Sequence, residues 1–154
     1  MFKGRKMTAK ELWNEFIEKT GTSDCEYDAW AFGVDADTLA QLVVNGEKTA
    51  TASAYPLYAV DGDPLPKVGE YSVVLDSRDN AVCIVKTEKV TIVPFNEVTA
   101  EHAYKEGEGD KSLNYWRDVH QKVFTQWMDE AGLKFSTDME VVCEEFSVVY
   151  KPIA

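Results

Sequence analysis

Lys48 and Thr51 stand three residues apart in Gly46-Glu47-Lys48-Thr49-Ala50-Thr51-Ala52-Ser53, directly after a glycine that closes an apolar helical pattern. Such a junction lets the backbone approach a ligand closely. A lysine partly removed from water gives up its proton more readily and can act as a general base toward a hydroxyl. Thr49, Thr51 and Ser53 share one face if the segment is extended. On residue chemistry alone, a solvated lysine on a threonine-rich strand is the competing reading.

Two further stretches carry reactive side chains. Glu101 to Asp110 is acidic, is punctuated by Gly107 and Gly109, and holds His102, one of two histidines in the chain. Its carboxylates lack the oxygen-ligand spacing of an EF-hand, and no metal or other cofactor is expected. His102 and Glu106 lie one helical turn apart, as neighbours on a face. Further on, Leu113, Trp116, His120, Val123 and Trp127 repeat at spacings of three and four. That is an amphipathic stripe with a core or pocket-edge histidine in it. Ser112, Tyr115 and Arg117 stand near the start of that helix, where the dipole favours anions and an arginine beside aromatics can hold a phosphate or stack on a base.

The rest of the chain narrows the chemistry. There is no HExxH, Walker loop, GxGxxG or Ser-His-Asp order, so zincins, P-loop enzymes, Rossmann dehydrogenases and serine proteases drop out. The 154 residues carry 16 Lys plus Arg against 27 Asp plus Glu, a formal net charge of -11, which repels polyphosphate at long range. Hydrophobic residues at 45% suffice for a packed core. Cys25, Cys83 and Cys143 form no CxxC pair; the latter two sit in apolar runs and read as core. Apolar runs are too short for a membrane span, and the basic start Met1 to Lys6 leads into a charged amphipathic segment rather than a signal sequence, so a cytoplasmic protein is expected.

The positioning elements follow from periodicity. Thr8 to Glu11 has the form of a capping box for a helix carrying Leu12, Trp13, Phe16 and Ile17 and stopped by Gly21. A polar loop with Tyr27, Trp30 and Phe32 follows. A second helix, capped by Asp35 or Asp37, ends at Asn45-Gly46. Thr49 to Tyr55 reads as a strand or extended loop, and Pro56 to Gly69, with three prolines, as a loop. Tyr71 to Asp76 and Ala81 to Val93 form strands joined by the hairpin Ser77-Arg78-Asp79-Asn80. Asn96, as cap, begins a short helix to Lys105; Ser112 to Ala131 is the longest helix; Glu140 to Tyr150 is the last strand. The order predicts an α+β fold with a curved, mainly antiparallel sheet.

At this point the residues resemble a known family. Gly46-Glu47-Lys48-Thr49-Ala50-Thr51 resembles the GxKTxT signature of the ASCH domain family, and Gly107 to Leu113 followed by Tyr115-Trp116-Arg117 is similar to a block of its larger bacterial members. Val68-Gly69-Glu70-Tyr71 between them matches the usual strand entry. The resemblance runs from about Trp30 to Tyr150, with residues 1–29 as an N-terminal helical extension and 30–154 as the domain.

The resemblance implies a PUA-like β-barrel with helices packed around it, and a cleft facing the signature. It also implies RNA or nucleoside chemistry. Small members hydrolyse the amide of N4-acylated cytidines with a Lys, a Thr and a Glu; some larger members are described as ribonucleases or RNA-binding regulators. Carried over, that triad is Lys48, Thr51 and Glu106. Lys48 would take the proton of Thr51, amides near the Gly46 turn would hold the oxyanion, and Glu106 would orient the lysine or shuttle its proton. The expected contacts to substrate are Gly46, Thr49 and Ser53, then Ser112 and Arg117, with Tyr55, Tyr104 or Trp116 stacking on the base. Ser53 stands where the small members carry an arginine, a departure that touches substrate choice. The partner is then a small nucleoside or a single-stranded RNA held by a patch such as Lys48, Arg78, Lys86 and Arg117. A homodimer through Trp13 or Trp30 is a further expectation. For Lys48→Ala the expectation is lost turnover with stability within about 1 kcal/mol of wild type.

Overall fold

The protein is described here by a computed structural model covering residues 6–153; most of the basic start, residues 1–5, lies outside the described residues. Helix α1 (Ala9–Thr20) begins at the expected capping box: the Thr8 hydroxyl accepts from the Glu11 amide at 3.1 Å and the Glu11 carboxylate accepts from the Thr8 amide at 2.9 Å. Its apolar face, Leu12, Trp13 and Phe16, is buried against Val73, Ala81 and Ile84. Burying side chains of this size contributes roughly 1.5–3 kcal/mol each. Trp13 is stacked on Tyr27 and donates its indole N–H to Asp24, so it offers no free ring for a dimer.

Five strands form one sheet in the order β1-β3-β4-β5-β2: β1 (Tyr27–Ala31), β2 (Ala50–Ala54), β3 (Tyr71–Leu75), β4 (Ala81–Pro94) and β5 (Glu140–Tyr150). All neighbours are antiparallel except β1, which pairs parallel to β3. β4 pairs with β3 through its first half and with β5 through most of its length, and the β4–β5 register shifts at Ile84/Val85 and Thr87/Lys89. Such shifts strengthen the local twist and bend the strand. The sheet therefore curls into a half barrel whose free edges are β1 and β2. This is the expected α+β, barrel-like architecture with helices packed around it.

Helix α2 (Ala36–Val44) covers one face of the sheet with Ala40 and Val43 on Val74, Cys83, Val85 and Phe146. Helix α5 (Leu113–Glu130) brings Trp116, Phe124 and Met128 against Val141, Cys143 and Ala54. Burial pushes both the Cys83 and the Cys143 thiol up to about 12, which fits inert core positions. Among the described residues, no helix is long and apolar enough to cross a membrane.

Four local expectations are corrected. The "polar loop" holding Tyr27 and Trp30 is β1, a short edge strand whose one covered side leaves Asp28 exposed. The proline-rich loop begins with helix α3 (Tyr55–Asp61), because Pro56 sits in its first turn, where the missing amide costs nothing. Helix α4 (Ala100–Glu106) starts after Thr99, whose hydroxyl accepts from the His102 amide; Asn96 lies in a preceding 3-10 turn. Asp35 occupies the cap position of α2 without a side-chain cap bond, and Asp37 instead accepts from the Ser77 amide and hydroxyl. Those two bonds hold the Asp37 carboxyl below its usual range.

Candidate active site

A cavity of about 530 Å3 opens in the mouth of the half barrel. Every strand contributes to its lining: Trp30 from β1, Thr51 and Ser53 from β2, Ser72 from β3, Thr87 from β4 and Glu144 from β5. Helix α5 supplies His120, Val123, Phe124 and Trp127, and the turn after α4 supplies Glu106, Glu108 and Gly109. The volume falls in the range of small-molecule sites. Seven carboxylates line it (Asp28, Asp35, Asp63, Glu70, Glu106, Glu108 and Glu144), and no lysine or arginine does among the described residues.

At one end lies a buried charged cluster. Lys48, 1% exposed, donates to Glu106 Oε1 at 3.1 Å and to Glu108 Oε2 at 2.7 Å, and its ammonium stands 5.4 Å from the Phe32 ring centroid. The other oxygen of Glu106 accepts from His102 Nε2 at 2.7 Å and from the Trp116 indole at 2.6 Å. His120 Nε2 stands 3.7 Å from Glu106 Oε1, while its Nδ1 contacts the Trp116 carbonyl at 2.8 Å. A carbonyl only accepts, so Nδ1 carries a proton and Nε2 is the ring nitrogen turned toward Glu106. The imidazole is further fixed by stacking on Trp116 at 4.2 Å and 16°. Burial by itself would raise the Glu106 pKa; the Lys48 charge, the His102 bond and the two imidazoles outweigh it and hold the carboxyl below its usual range. Glu106 is thus an anchored anion, poorly suited to accepting a proton near neutrality.

Gly107 makes this cluster possible. It caps α4 with φ 71°, and a Cβ there would run into the Glu47 carbonyl. That close approach lets the end of α4 lie on the segment carrying Lys48, tied by the Thr49 amide donating to the Lys105 carbonyl at 2.7 Å.

On β5, Glu144 forms a second, different carboxylate site. Glu144 Oε2 accepts from the buried Thr87 hydroxyl at 2.6 Å. Its pKa is raised: burial dominates, the Thr87 bond pulls the other way, and the nearby Glu70 charge adds to the rise. Beside it the Ser53 and Tyr58 hydroxyls meet at 2.6 Å. The Tyr58 phenol is also raised, by burial first and then, against the Ser53 bond, by Glu144 and Asp63.

Comparison with known proteins bears on this geometry. The family model for the ASCH domain matches residues 28–150. The chain belongs to the ASCH domain family. The structure is similar to an ASCH domain from Lactobacillus crispatus JV V101, with 32% identity, 97% of this chain and 98% of that one covered, and a TM-score of 0.82. It is also similar to a protein from Enterococcus faecalis V583, at 35% identity over 92% of this chain and 88% of that one, with a TM-score of 0.85. No curated protein matches the chain.

Within this ASCH fold the residues singled out from the sequence separate into two groups. Lys48 and Glu106 are joined directly, and Thr51 and Ser53 line the cavity. Tyr55, Tyr104, Ser112, Trp116 and Arg117 lie outside the lining, as do Gly46 and Thr49. Ser112 caps α5, Trp116 is buried against Glu106, and Arg117 donates to the Asn96 carbonyl. The aromatic walls are instead Trp30, Phe32, Tyr58, Tyr115 and Trp127. The amides of Gly46, Glu47, Lys48 and Thr49 all donate to backbone carbonyls, so the oxyanion site expected at that turn is already occupied. Lys48 is buried and unavailable to a surface RNA patch.

His120 was legible as a pocket-edge residue from its place in the stripe. Glu144 was missed, although Glu144-Glu145 inside an otherwise apolar strand is a signal that one face of the strand meets something polar. Among the described residues, no three His, Cys, Asp or Glu side chains stand as a metal-holding group.

Proposed function

We propose that this ASCH chain hydrolyses a modified nucleoside, most simply the exocyclic amide of an N4-acylcytidine, with Thr51 as nucleophile. The observation that carries this reading is the cavity lining: a threonine hydroxyl among aromatic walls and carboxylates, with no lysine or arginine among the described residues. Aromatic walls take a planar base by stacking. A lining rich in carboxylates repels phosphate and accepts an uncharged nucleoside, which favours this reading over RNA binding or cleavage. Acyl transfer to an alcohol needs a positioned hydroxyl and a proton acceptor, and both residue types are present. Lys48 acts as a positioning residue: its two ion pairs hold Glu106 and Glu108 at the cavity end.

The test is release of cytidine from N4-acetylcytidine, followed by chromatography, for wild type and Thr51→Val. Wild type is expected to release cytidine. The variant, which keeps side-chain shape and loses the hydroxyl, is expected to fall by at least about 100-fold. Equal turnover by both proteins would remove Thr51 from the reaction. No product from wild type, with salt-sensitive binding of a labelled single-stranded RNA, would replace this reading by an RNA-binding one.

A further inference from the structure

From the register of β2 on β5, we infer that the proton acceptor for Thr51 is Glu144. This rests on the amide-hydrolase reading above and names the base it leaves open. Thr51 and Glu144 are direct cross-strand partners in the antiparallel ladder, so both side chains project from the same face. Directly opposed residues hold their Cβ atoms roughly 4.5–5.5 Å apart, within reach of a glutamate's extended arm. Both residues line the cavity.

Lys48, the base expected from the family triad, is engaged elsewhere. Its ammonium donates to Glu106 and Glu108, and the hydrogen bonds it makes run toward α4 and the turn after it. Glu106 is committed to Lys48, His102 and Trp116. Glu144 keeps one oxygen on the Thr87 hydroxyl, which fixes its orientation. The charged and titratable groups around it are Glu70 before β3, Tyr58 of α3 and, beyond Tyr58, Asp63. Burial first, then the Glu70 charge, raises the affinity of Glu144 for a proton against the pull of the Thr87 bond, the direction a general base needs.

The steps balance with water as co-reactant. The Thr51 Oγ–H passes its proton to the Glu144 carboxylate as Oγ bonds to the acyl carbon. The C–N bond then breaks, and the proton on Glu144 goes to the departing exocyclic nitrogen, which leaves as the amine of cytidine. Glu144 next takes a proton from water, whose oxygen attacks the acyl-threonine ester. The C–Oγ bond breaks, the carboxylic acid leaves, and the proton returns to Thr51.

The experiment is the pH profile of kcat/KM on N4-acetylcytidine for wild type, Glu144→Gln and Thr87→Val. Glu144→Gln is expected to lower kcat by about 10²–10⁴-fold with KM changed only a few-fold. Thr87→Val removes the bond that counteracts the rise in Glu144, so the acid limb of its profile moves to higher pH while folding is retained. Near-wild-type kcat in Glu144→Gln, with wild type active, would overturn the assignment and leave the hydrolase reading standing. An unmoved acid limb in Thr87→Val would overturn it equally. An inactive wild type would overturn the hydrolase reading and this assignment with it.

Discussion

Two glutamates in one cavity have been driven in opposite directions. Glu106 is almost wholly buried, and burial alone would favour its neutral form; Lys48 and two imidazoles reverse that and hold it ionised. Glu144 is less buried, has one neutral hydroxyl donor and faces Glu70, so burial prevails and its pKa rises. The difference teaches that partners decide the charge state more than depth does. Environments that separate the pKa values of two carboxyls are also how one site supplies both a fixed charge and a proton acceptor.

The largest expected effect is on the ionised side. Lys48→Ala leaves Glu106 buried and short of its main cation, and should cost about 3–5 kcal/mol in chemical denaturation. This replaces the expectation of a near-neutral change, which assumed a side chain at the surface of a cleft; at 1% exposure Lys48 is a structural member. A loss under 1 kcal/mol would mean the cluster is solvated. Next comes Trp116→Phe, which keeps the ring packing but removes the indole donor at 2.6 Å from Glu106. A loss of about 1–3 kcal/mol is expected, and an unchanged unfolding midpoint would show that His102 and Lys48 suffice.

The smallest effect sharpens the contrast by its sign. With a lowered folded pKa, Glu106 contributes stability that is present above its unfolded value near 4.3 and is lost as pH falls through the folded value. Glu144, raised, contributes stability that is present below about 4.3 and is lost as pH rises through its folded value. Glu144→Gln should therefore gain stability relative to wild type between pH 4 and neutrality, read by urea unfolding across that range. A difference independent of pH would mean Glu144 titrates as it does in the unfolded chain.

Much of this molecule is readable from sequence where one physical pattern dominates. The capping box at Thr8, the hairpin at Ser77 to Asn80 and the last strand come through because cap, turn and β signals are local. β1 and α3 do not, because an edge strand shows little alternation and a proline in a first turn looks like a breaker. Lys48, Thr51 and Glu106 stand out as types and by family resemblance. Their mutual geometry does not, because it depends on which neighbours each strand acquires. Thr51 reads as the partner of Lys48 along the chain, yet the ladder gives it Glu144 as its cross-strand neighbour. His120 and Trp127 sit in the same stripe as Trp116, but only the first two reach the cavity, since the stripe spans two surfaces of α5.

The open half barrel also has a kinetic consequence. The β3–β4 hairpin closes over a few residues, whereas Ala50 must find Glu145 and Lys48 must find Glu106 from 58 positions away. Loop-closure entropy makes such distant pairings slow to form. The cavity is walled by β2 and by the Lys48 cluster, so it is expected to be completed late in folding. In a refolding experiment, backbone signals should recover ahead of any ability to hold a ligand.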